Sequence, residues 1–469
     1  MPAVDNSNEF DKLDKSKTIT IIGAGLTGSM MGIILARKGF QVEIYERRPD
    51  MRSHLISAGR SINLAISERG LYALERLGLK EKVLANAVPM LGRMMHARDG
   101  AKSYQAYSPY PHEFINSVSR AELNKLLMSE AEASGKVKIF FEHELIDSKL
   151  DEGVLDFRVA SGGQLVNKQA NVVLGTDGSA SNLRNEILSV NAKSQMTREK
   201  LSHSYKELHI APSEGENKFK LDKNALHIWP RSSFMMIALP NIDGSFTVTL
   251  FLQTEGSESF AALNTAQKVR EFFSQQFADV VPLLENLERD FFENPTGELA
   301  TIKCFPWSVG SRALIFGDAS HAVVPFYGQG MNCCFEDCVV LDTLIEERAV
   351  QGWQDIFDTF SRQRKPNSDA IADLAVANFI EMRDLVGQES FLIEKKIERR
   401  LSELYPDEFQ SVYRLVSFSR EPYSKAWQQR SLERELLEKI RLQVPDIDNL
   451  DKKIARPYFD EFLAKVAQL

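Results

Sequence analysis

The feature that most constrains this chain is a glycine pattern, Gly23-Ala-Gly25-Leu-Thr-Gly28, set between two apolar segments. Ahead of it, Lys17-Thr-Ile-Thr-Ile-Ile22 is a short β-branched run ending at glycine, which predicts a buried strand. Behind it, apolar residues recur at helical spacing from Met30 to Ala36 until Gly39 stops them, and Phe40–Glu46 then alternates as a second strand. Glycines at this spacing inside a β-α-β unit of about 30 residues are the mark of a dinucleotide site. Gly23 allows the tight turn, Gly25 lets backbone approach a pyrophosphate, and Gly28 lets helix pack closely on strand. The first N–H groups of the helix then face the phosphates. Glu46, ending the second strand, is placed to accept hydrogen bonds from a ribose diol.

The remaining pattern extends this unit into a larger molecule. Residues 120–134 read as a helix, and Val137–Phe141, Val154–Val159 and Asn171–Gly175 as strands. From about 205 to 252 the character changes to an antiparallel sheet: His227–Pro230, Phe234–Leu239 and Ser245–Leu252, with Asp243-Gly244 as a hairpin turn. Residues 265–290 read as helical, Ala313–Phe316 as a returning buried strand, and the chain beyond 354 as almost wholly helical. The expected fold is α/β: a doubly wound, Rossmann-like domain interrupted by an antiparallel-sheet substrate domain, with a C-terminal helical segment. The expected divisions are a disordered tail over 1–16, the dinucleotide domain over 17–190, the substrate domain over 191–300, the return of the first domain over 301–375, and the helical segment over 376–469.

Two further motifs refine the cofactor. Arg312-Ala-Leu-Ile-Phe-Gly317-Asp318 is a strand running into Gly-Asp, followed by Pro325-Phe-Tyr-Gly328-Gln-Gly330-Met-Asn332. An aspartate leaving a strand here can hold a ribityl hydroxyl, and the helix that follows points its positive end at charge on a reduced ring system. Leu174-Gly-Thr-Asp177-Gly178 is a third acid–glycine turn after a strand. A formal net charge of −8 excludes a general nucleic-acid binder, which needs a basic face. No apolar run reaches the about 18 residues of a membrane span, and residues 1–16 lack the apolar core of a secretory signal. Four cysteines, Cys304, Cys333, Cys334 and Cys338, are too few and too clustered for a disulfide framework. A reducing compartment, the cytoplasm, is expected. With only His321 nearby, no metal site is expected either.

The three turns in this order resemble those of the single-component aromatic flavoprotein monooxygenases. Within that family the chain is most similar to the members that hydroxylate kynurenine. The likeness is carried by Arg60-Ser-Ile-Asn-Leu-Ala65, Gly92-Arg-Met-Met-His96, Tyr205-Lys-Glu-Leu208, Ala225-Leu-His-Ile-Trp-Pro230 and Ser245-Phe-Thr-Val-Thr-Leu-Phe251. Pro325–Asn332, Asn378-Phe-Ile-Glu-Met382 and Phe418-Ser-Arg420 continue it, so that it spans about 17 to 425. The resemblance implies a tight, non-covalent FAD, NADPH as a transient co-substrate, molecular oxygen, and hydroxylation of L-kynurenine at the ring 3-position through a flavin hydroperoxide. FAD would be held at Gly23, Gly25, Leu26, Thr27, Gly28, Glu46, Arg47, Ala65, Arg120, Leu145, Asp177, Asp318, Gly330, Met331 and Asn332. No second Gly-x-Gly-x-x-Gly exists for NADPH.

On the substrate side the resemblance implies that Arg93 and Tyr107 hold the amino-acid end, with Asn378 and Tyr413 completing the pocket. Arginine suits this task because its planar guanidinium matches a carboxylate with two parallel hydrogen bonds. Glu381, three residues after Asn378, is expected on the same helix face. Leu226, Met235, Ile237, Leu239, Phe251, Pro325 and Phe326 would form the apolar wall. No side chain is assigned as catalytic acid or base, because the flavin carries the chemistry and the aniline ring is already electron-rich. Tyr327 stands where many relatives carry histidine, and the membrane-anchoring tail of the mitochondrial forms has no counterpart. The C-terminal helices are expected to act as a lid over the substrate. A monooxygenase of another small aromatic acid, or a flavin-binding sensor without turnover, are the alternatives; a homodimer is compatible with each.

Overall fold

The computed structural model describes residues 13–53, 63–160, 162–385 and 389–469. The expected tail therefore lies outside the described residues as far as residue 12, as do Arg60, Ser61 and Ile62. Leu13, within the stretch expected to be disordered, is instead buried in the core beside the first strand, because its apolar side chain has that core to enter.

Ile19–Ile22 is fully buried and pairs in parallel with Val42–Tyr45 on one side and Val172–Gly175 on the other. Val137–Phe140 and Ala313–Ile315 extend the sheet in parallel, and the short Ser308–Val309 closes it antiparallel. A strand buried on both faces reads as a continuous apolar run, which is what the sequence carries. The glycine turn leads into the helix Leu26–Arg37, buried continuously from Gly28 to Ala36. It packs against the helices Arg120–Ala133 and Gly330–Arg348, so the site-forming turn rests on a rigid three-helix layer.

The second sheet has seven strands in the order Gly297–Phe305, Gln195–Ile210, Phe246–Gln253, Met235–Pro240, Ala225–Pro230, Gly92–His96 and Lys102–Ala106. It is thus wider than residues 191–300. Gly92–His96 joins it in parallel with Ala225–Pro230, placing Arg93 opposite Leu226. One face of this sheet packs on a core containing Trp229, Met236, Val248, Phe273 and Phe277, and the other looks into the cavity described below. The helical stretch expected over 265–290 comprises two helices, Ala266–Gln276 and Leu287–Glu293, with a short turn at Val281–Leu283 between them. Pro282 within that turn lacks the N–H a continuing helix requires.

The C-terminal part comprises Trp353–Ile380, Glu389–Leu404, Val412–Ser417, Tyr423–Gln443 and Lys452–Val466. These helices hold a core of their own around Leu401, Phe409, Ile440 and Phe459. Among the described residues no helix is long and apolar enough to cross a membrane.

Candidate active site

One cavity of about 660 Å³ runs from the glycine turn to the inner face of the seven-stranded sheet. At its nucleotide end the three glycines have three different surroundings. Gly23 has φ 97°, and a Cβ there would lie 2.6 Å from the Thr176 carbonyl oxygen, so only glycine fits the turn. A Cβ on Gly25 would meet nothing within 4 Å, which leaves its backbone open to the cavity. A Cβ on Gly28 would sit 2.0 Å from the Gly23 oxygen. Gly28 therefore lies beneath the turn, where it serves the close packing of helix on strand and does not itself line the cavity. Leu26 and Thr27 do line it, as do Glu46, Arg47, Ala65, Arg120 and Leu145. Glu46 is buried, and its carboxylate accepts from the Ala24 N–H at 2.9 Å and from Arg48 Nε at 2.7 Å.

Further in, Asp177, Asp318, Gly330 and Met331 line the same space. Asp177 Oδ2 accepts from the backbone N–H groups of Asn182 and Leu183, at 3.0 and 3.4 Å, while its buried Oδ1 has no partner among the described residues. Burial raises its carboxyl above the ordinary value, against the pull of those N–H groups. A buried acceptor left open is costly unless a ligand donor meets it. Neither Gly25 nor Gln329, the residues that precede the two helices pointing here, offers a side-chain cap, so the first N–H groups of both helices remain available. Asn332 differs from expectation. Its side chain accepts from the Ser67 N–H at 3.0 Å and donates to the Ala65 and Gly328 carbonyls, both at 2.9 Å, and it does not line the cavity. An amide bonded in this way ties the end of the strand Asn63–Ile66 to the turn at Gly328.

At the substrate end, Arg93, Tyr107, Tyr327 and Tyr413 meet. The rings of Tyr107 and Tyr413 stack with centroids 5.5 Å apart, and Tyr327 stacks on Tyr413 at 5.7 Å. The Arg93 guanidinium lies 5.0 Å from the Tyr413 ring centre and 5.4 Å from that of Tyr107. Arg93 Nε and the Tyr107 hydroxyl are buried with no hydrogen-bond partner among the described residues. Burial pushes the Tyr107 and Tyr413 phenols up, so both stay neutral. The arrangement is a desolvated cation with a neutral donor beside it, open for an anion of the right shape. Leu226, Met235, Ile237, Leu239, Phe251, Pro325 and Phe326 line the cavity between the two ends.

Asn378 and Glu381 do not line it. The Asn378 amide donates to the Phe326 carbonyl at 2.7 Å, and Glu381 lies 3.8 Å from Lys395. The expectation assumed one continuous α-helical face. The long helix instead ends at Ile380 and continues as a π-helical turn, Glu381–Leu385, which rotates the next side chains and brings Met382 to the wall. Sequence reasoning also passed over Asn63, Tyr205, Thr247 and Thr249. Thr247 and Thr249 carry a signal that could have found them, since they alternate with buried apolar residues along Phe246–Gln253.

Next to Tyr205, burial pushes the Glu207 carboxyl up to about 7, opposed by Arg120. The raised value means that the folded protein prefers Glu207 protonated, so its ionisation costs stability as pH rises toward and through 7. Glu207→Gln is therefore expected to raise the thermal midpoint by a few degrees at pH 8 and to leave it nearly unchanged at pH 5. Differential scanning fluorimetry at the two pH values checks this, and an equal shift at both would assign the gain to packing.

His321, Cys333 and Asp337 come together closely enough to hold a metal ion. Arg364 occupies that role instead: its Nε donates to Asp337 Oδ1 at 2.6 Å, opposite the 2.6 Å contact of His321 Nε2 with Oδ2. The guanidinium reaches on to Glu336, which also pairs with Arg69, so the cluster is a buried ion network joining the helices at the cavity to the C-terminal ones.

The residues present fit FAD, with an open glycine turn, an unpartnered Asp177 oxygen and two uncapped helix N-termini around one elongated space. Known proteins agree. The family model described as an FAD binding domain matches residues 16–375. Kynurenine 3-monooxygenase of Myxococcus xanthus is 47% identical over 441 residues, covering 94% of each chain. That of Flavobacterium psychrophilum is 42% identical over 414 residues, covering 88% of this chain and 91% of the relative. Among solved structures, the tetrameric form of 2-methyl-3-hydroxypyridine-5-carboxylic acid oxygenase is similar with a TM-score of 0.63 at 20% identity, covering 82% of this chain and 97% of that one. Pseudomonas aeruginosa PqsL in complex with 2-aminobenzoylacetate is similar with a TM-score of 0.63 at 18% identity, covering 78% of this chain and 97% of that one. These two show the shared fold. An open FAD cradle and identity of this extent along nearly the whole length have one reading: the chain belongs to the kynurenine 3-monooxygenase family.

Proposed function

We propose that the protein hydroxylates L-kynurenine at the ring 3-position, using FAD, NADPH and molecular oxygen. The observation that carries this reading is the Arg93 enclosure at the far end of the FAD cavity, a receptor for a carboxylate joined to a space lined by apolar side chains. Bound FAD supplies the redox chemistry, taking hydride from NADPH and activating oxygen for transfer to the ring. The protein's own contribution is placement. Gly25, Asp177, Asp318 and the two helix N-termini hold the cofactor. Arg93 takes the substrate carboxylate and the Tyr107 hydroxyl donates to it, which fixes one end of the molecule. Leu226, Met235, Ile237, Leu239 and Phe251 grip the aromatic ring and exclude water. The N-terminus of Gly330–Arg348 favours negative charge in the cavity. An aniline ring is activated by its own nitrogen, so no base is required of the chain.

NADPH acts as a transient reductant with no dedicated glycine turn. The four free, buried cysteines support a reducing compartment such as the cytoplasm. Mass analysis after incubation with NADPH and L-kynurenine in air tests the reading: a product heavier by one oxygen, absent without kynurenine, is expected. NADPH oxidation that kynurenine does not stimulate would overturn it.

Tyr413 also closes the enclosure from the C-terminal side, between Tyr107 and Tyr327. Tyr413→Ala is expected to keep FAD and NADPH oxidation while most of the reducing power appears as hydrogen peroxide, because water then reaches the ring. Peroxide and 3-hydroxykynurenine measured in the same reaction decide this. Unchanged coupling in a folded variant would remove the lid role.

A further inference from the structure

We propose that His96 is a positioning residue for Arg93: a hydrogen-bonded chain from Asp279 through His96 and His227, filled by one extra proton, locks the strand that carries Arg93 onto the strand that lines the substrate slot. The inference rests on the reading that Arg93 receives the substrate carboxylate. His96 and His227 belong to two sequence stretches, Gly92–His96 and Ala225–Pro230, whose histidines the mechanism leaves unused. These are the strands paired in parallel, with Arg93 opposite Leu226. On the face away from the cavity, His96 Nδ1 lies 2.9 Å from Asp279 Oδ2, His96 Nε2 lies 2.8 Å from His227 Nδ1, and His227 Nε2 lies 2.8 Å from the Asp222 carbonyl oxygen. Both imidazoles are buried, at 1% and 2% exposure.

Counting protons shows what this chain requires. The Asp222 carbonyl can only accept, so His227 Nε2 carries hydrogen. Asp279, whose carboxyl is held below its ordinary value by hydrogen bonds from His96 and the Trp229 indole despite partial burial, also accepts, so His96 Nδ1 carries hydrogen. A third hydrogen must lie between the two rings. Two neutral imidazoles bring only two protons, so the intact chain holds a third, balanced by the Asp279 charge. Burial pushes His227 down to about 4, so that ring is a poor carrier of a positive charge. The other charged groups facing the chain are Arg231, which donates to the His96 carbonyl at 3.0 Å, and Arg98, Lys102 and Asp222. Trp229 stacks on His96 at 4.1 Å. Asp279 is partly exposed, so the chain can exchange protons with solvent.

When the third proton leaves, one of the three bonds must go, and two nitrogen lone pairs face each other across the strand pair. The test follows the holoenzyme across pH, with histidine NMR reporting His96 and flavin absorbance reporting the kynurenine Kd. The Kd is expected to rise about tenfold over the pH interval in which the imidazole signals of the pair report loss of the third proton. His96→Gln should show the weakened Kd at every pH with full FAD content, and His227→Gln serves if that variant does not fold. Kynuramine, which lacks the carboxylate, should bind with no such step. A Kd that stays level while the pair loses its third proton, or a step that persists in His96→Gln, overturns the proposal. Failure of wild-type protein to bind kynurenine at any pH overturns the substrate reading first, and this one with it.

Discussion

Replacing Arg93 by glutamine is expected to raise the kynurenine Kd by roughly 30- to 1000-fold, with FAD content unchanged. Arg93 sits on the strand Gly92–His96, beside the stacked rings of Tyr107 and Tyr413, with a buried Nε that no described residue satisfies. An incoming carboxylate would pair with it away from water, where one side of such a pair is worth about 2–4 kcal/mol. Glutamine is shorter, uncharged, and presents no two-pronged donor. The neutral Tyr107 hydroxyl retains a single hydrogen bond to the ligand, which sets the lower end of the range. Nothing in the nucleotide half of the cavity depends on Arg93, so flavin content acts as an internal control. Flavin absorbance titration reads the Kd directly, and a value within about twofold of wild type would place the carboxylate elsewhere.

How far residues such as Arg93 can be read from sequence depends on whether their neighbours are local. The glycine turn was legible because strand, turn and helix are consecutive, and Gly23 and Gly28 answer steric demands set within a few residues or by Thr176 at the end of the next strand. Met235, Ile237 and Leu239 were legible for the same reason: period-two alternation places all three on one face, and all three line the cavity. Arg93 was reached only through resemblance. Its strand is short, and the partner that makes it a strand is Ala225–Pro230, far along the chain. Glu381 shows the opposite case, where a local rule, its sharing of a helix face with Asn378, was applied past its range. Helical spacing holds to Ile380, and the π-helical turn that follows breaks it. The width of the second sheet was hidden too, since Lys102–Ala106 is largely exposed and carries no apolar alternation.

The nucleotide end supplies the other large effect. Glu46→Arg is expected to leave a folded protein that retains less than about a tenth of the wild-type FAD, a loss of at least about 1.4 kcal/mol in cofactor binding. Glu46 is 4% exposed and holds the turn from within: Oε2 accepts the Ala24 N–H at 2.9 Å, and Oε1 accepts Arg48 N–H at 3.0 Å and Arg48 Nε at 2.7 Å. Those contacts keep its carboxyl below the ordinary value even though burial works the other way. Arginine removes the acceptor under the turn, places a third cation beside Arg47 and Arg48, and takes away the group that a ribose diol would use. The Arg48 side chain is largely exposed, so losing the pair costs little, and the main cost is an Ala24 N–H left without its acceptor, about 1–3 kcal/mol. Part of that cost falls on the fold, so the comparison needs Glu46→Gln, which keeps an acceptor oxygen for the Ala24 N–H and removes only the charge. The expected order of flavin content is wild type, then Glu46→Gln, then Glu46→Arg, measured as FAD absorbance per chain after gel filtration. Cooperative thermal unfolding in all three separates cofactor loss from collapse of the sheet. Full flavin content in a folded Glu46→Arg protein would show that the adenosine half of FAD is held by something other than this strand end.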